Sequence, residues 1–314
     1  AGSATANYFN TVYGTYAGSD LDALNDMDRL RQPDGSCISA PGCNTFFALQ
    51  SAGLTSWVNA GKSAYHGMQM VFRRQVSNGW GYDFNYTWSH SIDNASASES
   101  AGGGVIQDSF NPDAFRGPSD FDLRHNITAN AVVELPFGKR KHFLSAVPGW
   151  ADAIVGGWQV STLVTYRSGP PLNLSNSGVY PTNYLNSALA VLRPGATMPS
   201  NQVGYNQLGN PSLFSTTTAV TSFQGQYPGT VGTRGIIRGA GVTNMDLSAS
   251  KYFLLPWEGH RVQLRAEAFN ALNNVNFLNS GTAPILSLAN PGTFGQFNAA
   301  ADARVVQFAL RYEF

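Results

Sequence analysis

The residue types that most often carry out catalysis are present, but they are not arranged for it. The five histidines are scattered over predicted strands and turns, at His66, His90, His125, His142 and His260. No HExxH motif, no histidine pair at metal-ligand spacing and no Gly-x-Ser-x-Gly segment occurs, so neither a zinc site nor an exposed serine nucleophile is indicated. We therefore predict that the chain is not an enzyme and binds no cofactor.

Four aspartates near the N-terminus form a group of carboxylates, at Asp20, Asp22, Asp26 and Asp28. Several carboxylates together can bind a hard cation such as Ca²⁺, but this spacing does not match the EF-hand loop. We favour a solvated loop over a calcium site at these residues, and the sequence predicts no metal ligands elsewhere.

The two cysteines, Cys37 and Cys43, are separated by five residues in a context of glycine, proline and serine. This spacing closes a small loop, so the pair is a candidate disulfide in an oxidising compartment. Two unpaired thiols are the alternative. A zinc site is not predicted, because two ligands leave a tetrahedral ion half coordinated.

Charged residues are scarce in this chain. They make up 12% of it, about half the usual share for a soluble domain, and aromatic residues also reach 12%. Such a composition suits a protein that contacts lipid on one side and water on the other. The formal net charge is zero, so we predict no nucleic-acid partner.

Period-two alternation is the clearest signal in the sequence, because it places successive side chains on opposite faces of a strand. From Trp80 to Trp88 every second residue is aromatic, and the residues between them are glycine, aspartate, asparagine and threonine. A similar run precedes it at 68–73, and Ser77-Asn78-Gly79 between the two predicts a tight β-hairpin. The aromatics that we predict to face lipid are Trp80, Tyr82, Phe84, Tyr86, Trp88, Trp158 and Tyr166.

Five further runs alternate in the same way, at 124–137, 158–167, 244–253, 262–268 and 306–314. Short turns follow the first, third and fifth runs, although the one after the third is longer, and long polar loops follow the second, fourth and sixth. The long loops, at 95–121, 175–241 and 278–302, are predicted to lack structure of their own, which argues against a compact soluble domain. Short turns at one end and long loops at the other are typical of an outer-membrane barrel. The predicted fold is all-β, a membrane-spanning antiparallel β-barrel.

The polar faces of the last two runs carry charges of both signs. We predict these residues to face the lumen: Gln263, Arg265, Glu267, Gln307, Arg311 and Glu313. Because the two strands should be neighbours, the arginines and glutamates are expected to form cross-strand ion pairs, a structural role that we favour over ligand contact.

The strand count indicates a larger barrel, since single-chain bacterial barrels have an even number of strands and the sequence shows seven clear ones. A weak eighth strand at 8–16 remains an alternative, although its two faces are poorly separated. We assign residues 1–62 to an extracellular loop region and residues 63–314 to the C-terminal portion of the barrel.

Several motifs, taken in order, carry a family resemblance. They are Ser63–Gln69, Tyr86–Asn94, Phe121–Asn126, Arg265–Asn273 with Asn276-Phe277, and the aromatic terminus. Together they resemble the C-terminal part of TonB-dependent outer-membrane receptors, and more narrowly the Oar-like branch with a carboxypeptidase-regulatory-like N-terminal domain. The resemblance implies a 22-stranded barrel, an internal plug, contact with the TonB energy-coupling complex and transport of a large or scarce ligand. Plug and coupling segment are not visible in this sequence, so the same or another chain would supply them.

The terminal strand alternates Phe308, Leu310, Tyr312 and Phe314. It resembles the signal by which the barrel-assembly machinery recognises its substrates, and it can also contact outer-membrane lipid. The expected location is the outer membrane of a Gram-negative-type bacterium.

Three functions are compatible with these features. The first is non-enzymatic transport, by uptake or export, as part of a TonB-dependent receptor. The alternative is a structural or interaction barrel whose long extracellular loops bind a partner or surface without transport. A soluble carbohydrate-binding module is the third, and the aromatic face from Trp80 to Trp88 argues against it.

Overall fold

The computed structural model describes residues 59–96, 106, 111–139, 141–179, 187–225, 232–279 and 284–314. Regular structure in these residues consists mainly of β-strands. The predicted weak strand at 8–16, the four aspartates and the two cysteines lie outside the described residues. The strands, in chain order, are β1 (Ser63–Ser77), β2 (Trp80–Asp93), β3 (Gly117–Pro118), β4 (His125–Glu134), β5 (Trp158–Arg167), β6 (Pro171–Leu172), β7 (Ser175–Val179), β8 (Ser187–Leu192), β9 (Asn201–Tyr205), β10 (Pro211–Phe214), β11 (Phe223–Gly225), β12 (Ile237–Arg238), β13 (Val242–Leu254), β14 (Arg261–Phe269) and β15 (Val305–Glu313).

The seven long strands form one antiparallel sheet in the order β1-β2-β4-β5-β13-β14-β15, and β3 pairs with the end of β2. All seven predicted strands are therefore confirmed, and long strands that are consecutive along the chain are neighbours in the sheet. Within the described residues, β1 and β15 each have one partner strand and leave their outer edges open.

The predicted hairpin between β1 and β2 is also confirmed. Ser77 pairs with Trp80, which leaves Asn78 and Gly79 as a two-residue turn. Both have positive φ, 54° and 84°, as the type I′ turn requires, and this turn has the twist that joins two adjacent strands. Asparagine and glycine are the residues that adopt this conformation most readily.

The register keeps two sets of side chains apart across the sheet, except where the β1–β2 pairing shifts by one residue between Arg74 and Ser77. Phe84 lies opposite Phe72 and Ala129, whereas the next residue, Asn85, lies opposite Val71 and Thr128. We call the side that carries Phe84 the apolar face and the side that carries Asn85 the polar face. The exceptions on the apolar face include Thr162 and Lys251, and those on the polar face include Val71, Val132 and Leu163.

The connections differ between the two ends of the sheet. At one end lie the two-residue turn, the turn between β13 and β14, and residues 135–157 between β4 and β5. This last connection contains the short helix α1 (Gly149–Val155), which the sequence did not predict. In the described part of the chain, no helix is long and apolar enough to cross a membrane.

At the other end, the three long connections fold into a layer that we call the cap, which comprises their described residues in 94–124, 168–241 and 270–304. It contains β3, β6 to β12 and 3₁₀ turns at Pro112–Phe115, Thr217–Ser222 and Pro291–Thr293. The prediction that these loops lack structure of their own is wrong. Apolar residues from the second and third connections form a buried core, which includes Leu174, Leu213, Phe214, Phe223, Ile237, Phe294 and Phe297. The strands of the cap have only two to six residues. Runs of so few residues are too short to show a periodic pattern in the sequence.

Candidate functional site at the junction of cap and sheet

The predicted lipid-facing aromatics all lie on the apolar face. Tyr86, Trp88 and Tyr166 are near the cap, and Trp80 and Trp158 are near the opposite end. Trp80 and Trp88 are eight residues apart, which corresponds to about 26 Å along a strand. This length is of the order of the apolar band of an outer-membrane barrel, which aromatic residues flank on both sides.

The predicted lumen-facing residues all lie on the polar face of β14 and β15, but their ion pairs differ from the expectation. Arg265 pairs with Glu267 at 3.0 Å and Arg311 with Glu313 at 3.4 Å, each within its own strand. The predicted cross-strand pairs among these four residues are wrong, because the register places Arg265 opposite Ala309 and Arg311 opposite Gln263.

Two other contacts do join the strands β14 and β15. The side chain of Gln307 donates a hydrogen bond to Glu267, and Arg261, which the sequence analysis missed, pairs with Glu313. The arginines in these pairs are exposed, so the pairs contribute little to stability.

Side chains of the terminal strand, at Phe308, Leu310, Tyr312 and Phe314, are all exposed. Phe308, Leu310 and Tyr312 lie opposite Ala266, Leu264 and Val262, so they extend the apolar face to the edge of the sheet. The structure places the four residues together as predicted, and their recognition by an assembly machinery remains a prediction.

A buried arginine at the junction is the largest feature that sequence reasoning missed. The side chain of Arg234 is 2% exposed, and its guanidinium pairs with the carboxylate of Asp93, at the end of β2, at 2.8 Å. It also donates to four groups of the first long connection, which are the carbonyl oxygens of Phe115 (3.3 Å) and Pro118 (3.4 Å), Ser96 Oγ (2.5 Å) and Asp120 Oδ1 (3.3 Å). Arg234 thus ties the second long connection to both the first connection and the sheet.

Asp122 is the centre of a second buried network. Its side chain is fully buried and accepts hydrogen bonds from the backbone N–H of Ser91 (2.7 Å), from Arg124 Nε (3.1 Å) and from Arg238. His90 Nδ1 lies 3.4 Å from the same carboxylate. Burial raises the pKa of Asp122, but the hydrogen bonds from Ser91, Arg238 and His90 together outweigh it and hold the pKa below its usual range.

Arg234 and Arg238 both belong to the segment Thr233–Gly239, in which they are four positions apart and each is followed by a glycine. That pattern was the available signal, since arginine is rare in loops as poor in charge as these. The partners could not be identified from the sequence because Asp93 is 141 residues from Arg234, and Asp122 is 116 residues from Arg238. Gly117 leaves no space for a side chain, because a Cβ there would lie 2.8 Å from the Cβ of Arg234.

The third long connection is joined to the sheet by asparagines. Asn276 Oδ1 accepts from the N–H of Thr243 at 2.9 Å, and its Nδ2 donates to the carbonyl oxygen of the same residue at 3.0 Å. Asp246 Oδ1 accepts from the N–H of Asn270, and Phe277 stacks on Phe297 with ring centroids 4.7 Å apart.

Three of the sequence motifs therefore lie where long strands meet the cap, at Tyr86–Asn94, Phe121–Asn126 and Arg265–Asn273 with Asn276-Phe277. Polar groups of the first two hydrogen bond each other, as Ser91 does to Asp122, and those of the third hydrogen bond β13, so the arrangement fastens the cap to the sheet. Among the residues that the structure describes, no three histidine, cysteine, aspartate or glutamate side chains are grouped to hold a metal ion.

We predict that Arg234→Met detaches the first connection from the second. Removing one partner of a buried ion pair typically costs about 3–5 kcal/mol, so protease should cleave the cap much faster while the strand signal in circular dichroism persists. Arg261→Met is the matched control, since it breaks an exposed pair worth less than about 1 kcal/mol. Equal cleavage rates for the two variants would contradict this fastening role of Arg234.

Acidification should weaken the junction at Asp122. Because its folded pKa is lowered, the carboxylate contributes stability above the unfolded value of 3.8 and loses it as pH falls through the lower folded pKa. Hydrogen exchange of the Ser91 amide, corrected for its intrinsic rate, should therefore lose protection below about pH 4. The Thr128 amide in the sheet serves as the control, and unchanged protection of Ser91 under these conditions would refute the assignment.

Comparison with known protein families matches residues 9–307 to the outer membrane beta barrel domain. Neither a curated protein nor a solved structure matches the chain. The family match covers nearly the whole sequence and agrees with the antiparallel sheet, its apolar face and the aromatic residues near both ends of that face. The chain belongs to the outer-membrane β-barrel domain family, and it is located in the outer membrane of a Gram-negative bacterium.

Proposed function

We propose that the chain forms part of the barrel of a TonB-dependent receptor of the Oar-like branch, which moves a large or scarce ligand across the outer membrane without covalent chemistry. The observation that carries the proposal is the cap, in which three connections form a folded layer locked to the polar face. A cap of this kind can present a shaped binding surface at the barrel entrance.

Among the described residues β1 and β15 each have one open edge, which supports a barrel of more than seven strands. In hydrocarbon an unpaired backbone N–H or C=O group has no hydrogen-bond partner, and each such group destabilises the folded protein by roughly several kcal/mol. Further strands, in the same or another chain, would pair these edges, and a wide barrel leaves a lumen that can hold a plug. We propose a 22-stranded barrel, on the resemblance of the sequence motifs to the receptor family.

The composition of the polar face is consistent with a water-filled or plug-filled lumen. Its rows consist mainly of polar and charged side chains, such as Asn85, Thr128 and Thr165 in one row and Glu267 and Gln307 in another. Side chains of these types can hydrogen bond to water or to a plug domain. The proposed partners are the upstream barrel and plug, the TonB energy-coupling complex, the barrel-assembly machinery acting on Phe308–Phe314, and membrane lipid.

One observation favours the alternative, a structural or interaction barrel without transport. The hairpin of β9 and β10 exposes Val203, Tyr205 and Leu208 to solvent. Apolar side chains grouped on an exposed hairpin can bind another protein or a surface. Under this alternative the cap binds its partner permanently and nothing crosses the lumen.

Solute accumulation in intact bacteria distinguishes the two functions. We expect a strain lacking the protein to stop accumulating a specific set of solutes from the medium, and a proton uncoupler to have the same effect on the wild type. Mass spectrometry of washed cells measures this, and re-expression of the protein in the deletion strain is the control. Identical solute profiles in the deletion and wild-type strains, with the protein detected in the outer membrane of the wild type, would reject transport and leave the interaction role.

A further inference from the structure

The connection between β4 and β5 is a folded unit at the end of the sheet that lies opposite the cap. Helix α1 begins after Pro148, whose carbonyl oxygen accepts hydrogen bonds from Ala151 and Asp152. Asp152 Oδ1 accepts in turn from the backbone N–H of Lys139 at 2.6 Å, which folds the first part of the connection onto the helix. The unit therefore has a defined shape rather than that of an open loop.

Lys251 fastens the C-terminal end of this helix to the apolar face. It occupies an apolar-face position between Trp158 and Leu264, yet it is only 4% exposed. Its ammonium donates to the carbonyl oxygens of Gly156 and, at 3.5 Å, Asp152. Carbonyl groups at a helix C-terminus carry partial negative charge and bind a cation favourably.

Aromatic residues complete this attachment. The ammonium of Lys251 lies 5.1 Å from the ring centre of Phe253 and 5.9 Å from that of Trp158, within cation–π distance. The indole N–H of Trp158 donates to the carbonyl oxygen of Ile154 at 2.8 Å. Two apolar-face strands, β5 and β13, thus hold the same end of α1, and a lysine that would otherwise face lipid has polar partners.

The outer surface of the unit is apolar and basic. Trp150 is 72% exposed and Ile154 is 62% exposed, and residues four positions apart lie on one side of a helix. Phe143 and Leu144, which precede the helix, are also exposed. Lys139 and Lys141 come shortly before them in the sequence and are exposed as well, and Lys141 pairs with Glu134 at 3.1 Å. Exposed tryptophan and aliphatic side chains next to lysines are typical of a segment that lies in a membrane interface.

We propose that this unit, residues 139 and 141–155, docks into the headgroup region of the phospholipid layer on the periplasmic side of the membrane. Trp150 and Ile154 enter the boundary between headgroups and acyl chains, and Lys139 meets lipid phosphates. A lipid layer is the occupant that fits best, because the helix is fastened to the lipid-contacting apolar face and is continuous with it. The end with the shorter connections is the periplasmic end in barrels of this class.

Fluorescence quenching in phospholipid vesicles tests this docking on the intact chain. An environment-sensitive dye is attached at Ile154→Cys and, as a matched control, at Leu208→Cys in the cap, in a Cys37→Ser, Cys43→Ser background. Leu208 is 70% exposed and so resembles Ile154 in size and exposure. We expect a quencher fixed in the lipid to act on position 154 at least about threefold more strongly than on position 208, and aqueous iodide to show the reverse preference.

Equal quenching at the two positions by both reagents would overturn the proposal. The same holds if another protein covers the helix, because the lipid quencher would then not reach position 154 preferentially. Heat-modifiable migration of each labelled protein confirms that the barrel is folded. Lys251→Met provides an independent arm, because it removes the attachment and should lower lipid quenching at position 154 several-fold. Unchanged lipid quenching in a folded Lys251→Met variant would show that Lys251 does not hold the helix at the interface.

Discussion

A polypeptide backbone in hydrocarbon must satisfy its hydrogen bonds within the protein, and the rest of the structure depends on this constraint. The ladders of the seven long strands satisfy it, and among them only the β1–β2 ladder shifts register, between Arg74 and Ser77 beside the first turn. A slip of one residue would turn every side chain of a strand to the wrong side. Phe84 therefore stays in line with Ala129 and Val164 across three strands, while the next row carries Asn85, Thr128 and Thr165 on the opposite face.

Outside the hydrocarbon the same chain uses a different set of interactions. Where β2 ends, the cap begins with buried charges that would be costly alone but are paired and hydrogen bonded, as Arg234 is to Asp93 and Asp122 to Arg238. At the opposite end, Lys251 meets helix carbonyl groups. Both ends of the sheet thus use charge to attach non-strand elements, whereas the centre of the apolar face has aromatic and aliphatic side chains.

The long strands could be predicted from the sequence because alternation is a local property, and the run from Trp80 to Trp88 follows it without exception. The cap could not, since its strands are short and its core joins residues far apart, such as Leu174 and Phe294. The partners of Arg234 are likewise distant in the sequence. The cross-strand ion pairs predicted between β14 and β15 were wrong because such pairs depend on the register of the two strands. Alternation shows which residues share a face but does not show the register.

One pair of substitutions tests the two-faced sheet most directly. Ala129 and Thr128 are adjacent, both half-buried and level with the middle of the Trp80–Trp88 run, but lie on opposite faces. Arginine on the lipid side near the midplane costs about 2–4 kcal/mol, whereas on the lumen side it should cost little. In reversible urea unfolding in phospholipid vesicles, Ala129→Arg should be destabilised by that amount and Thr128→Arg should match the wild type. Equal destabilisation of the two variants, or the reverse order, would contradict the assignment of the faces.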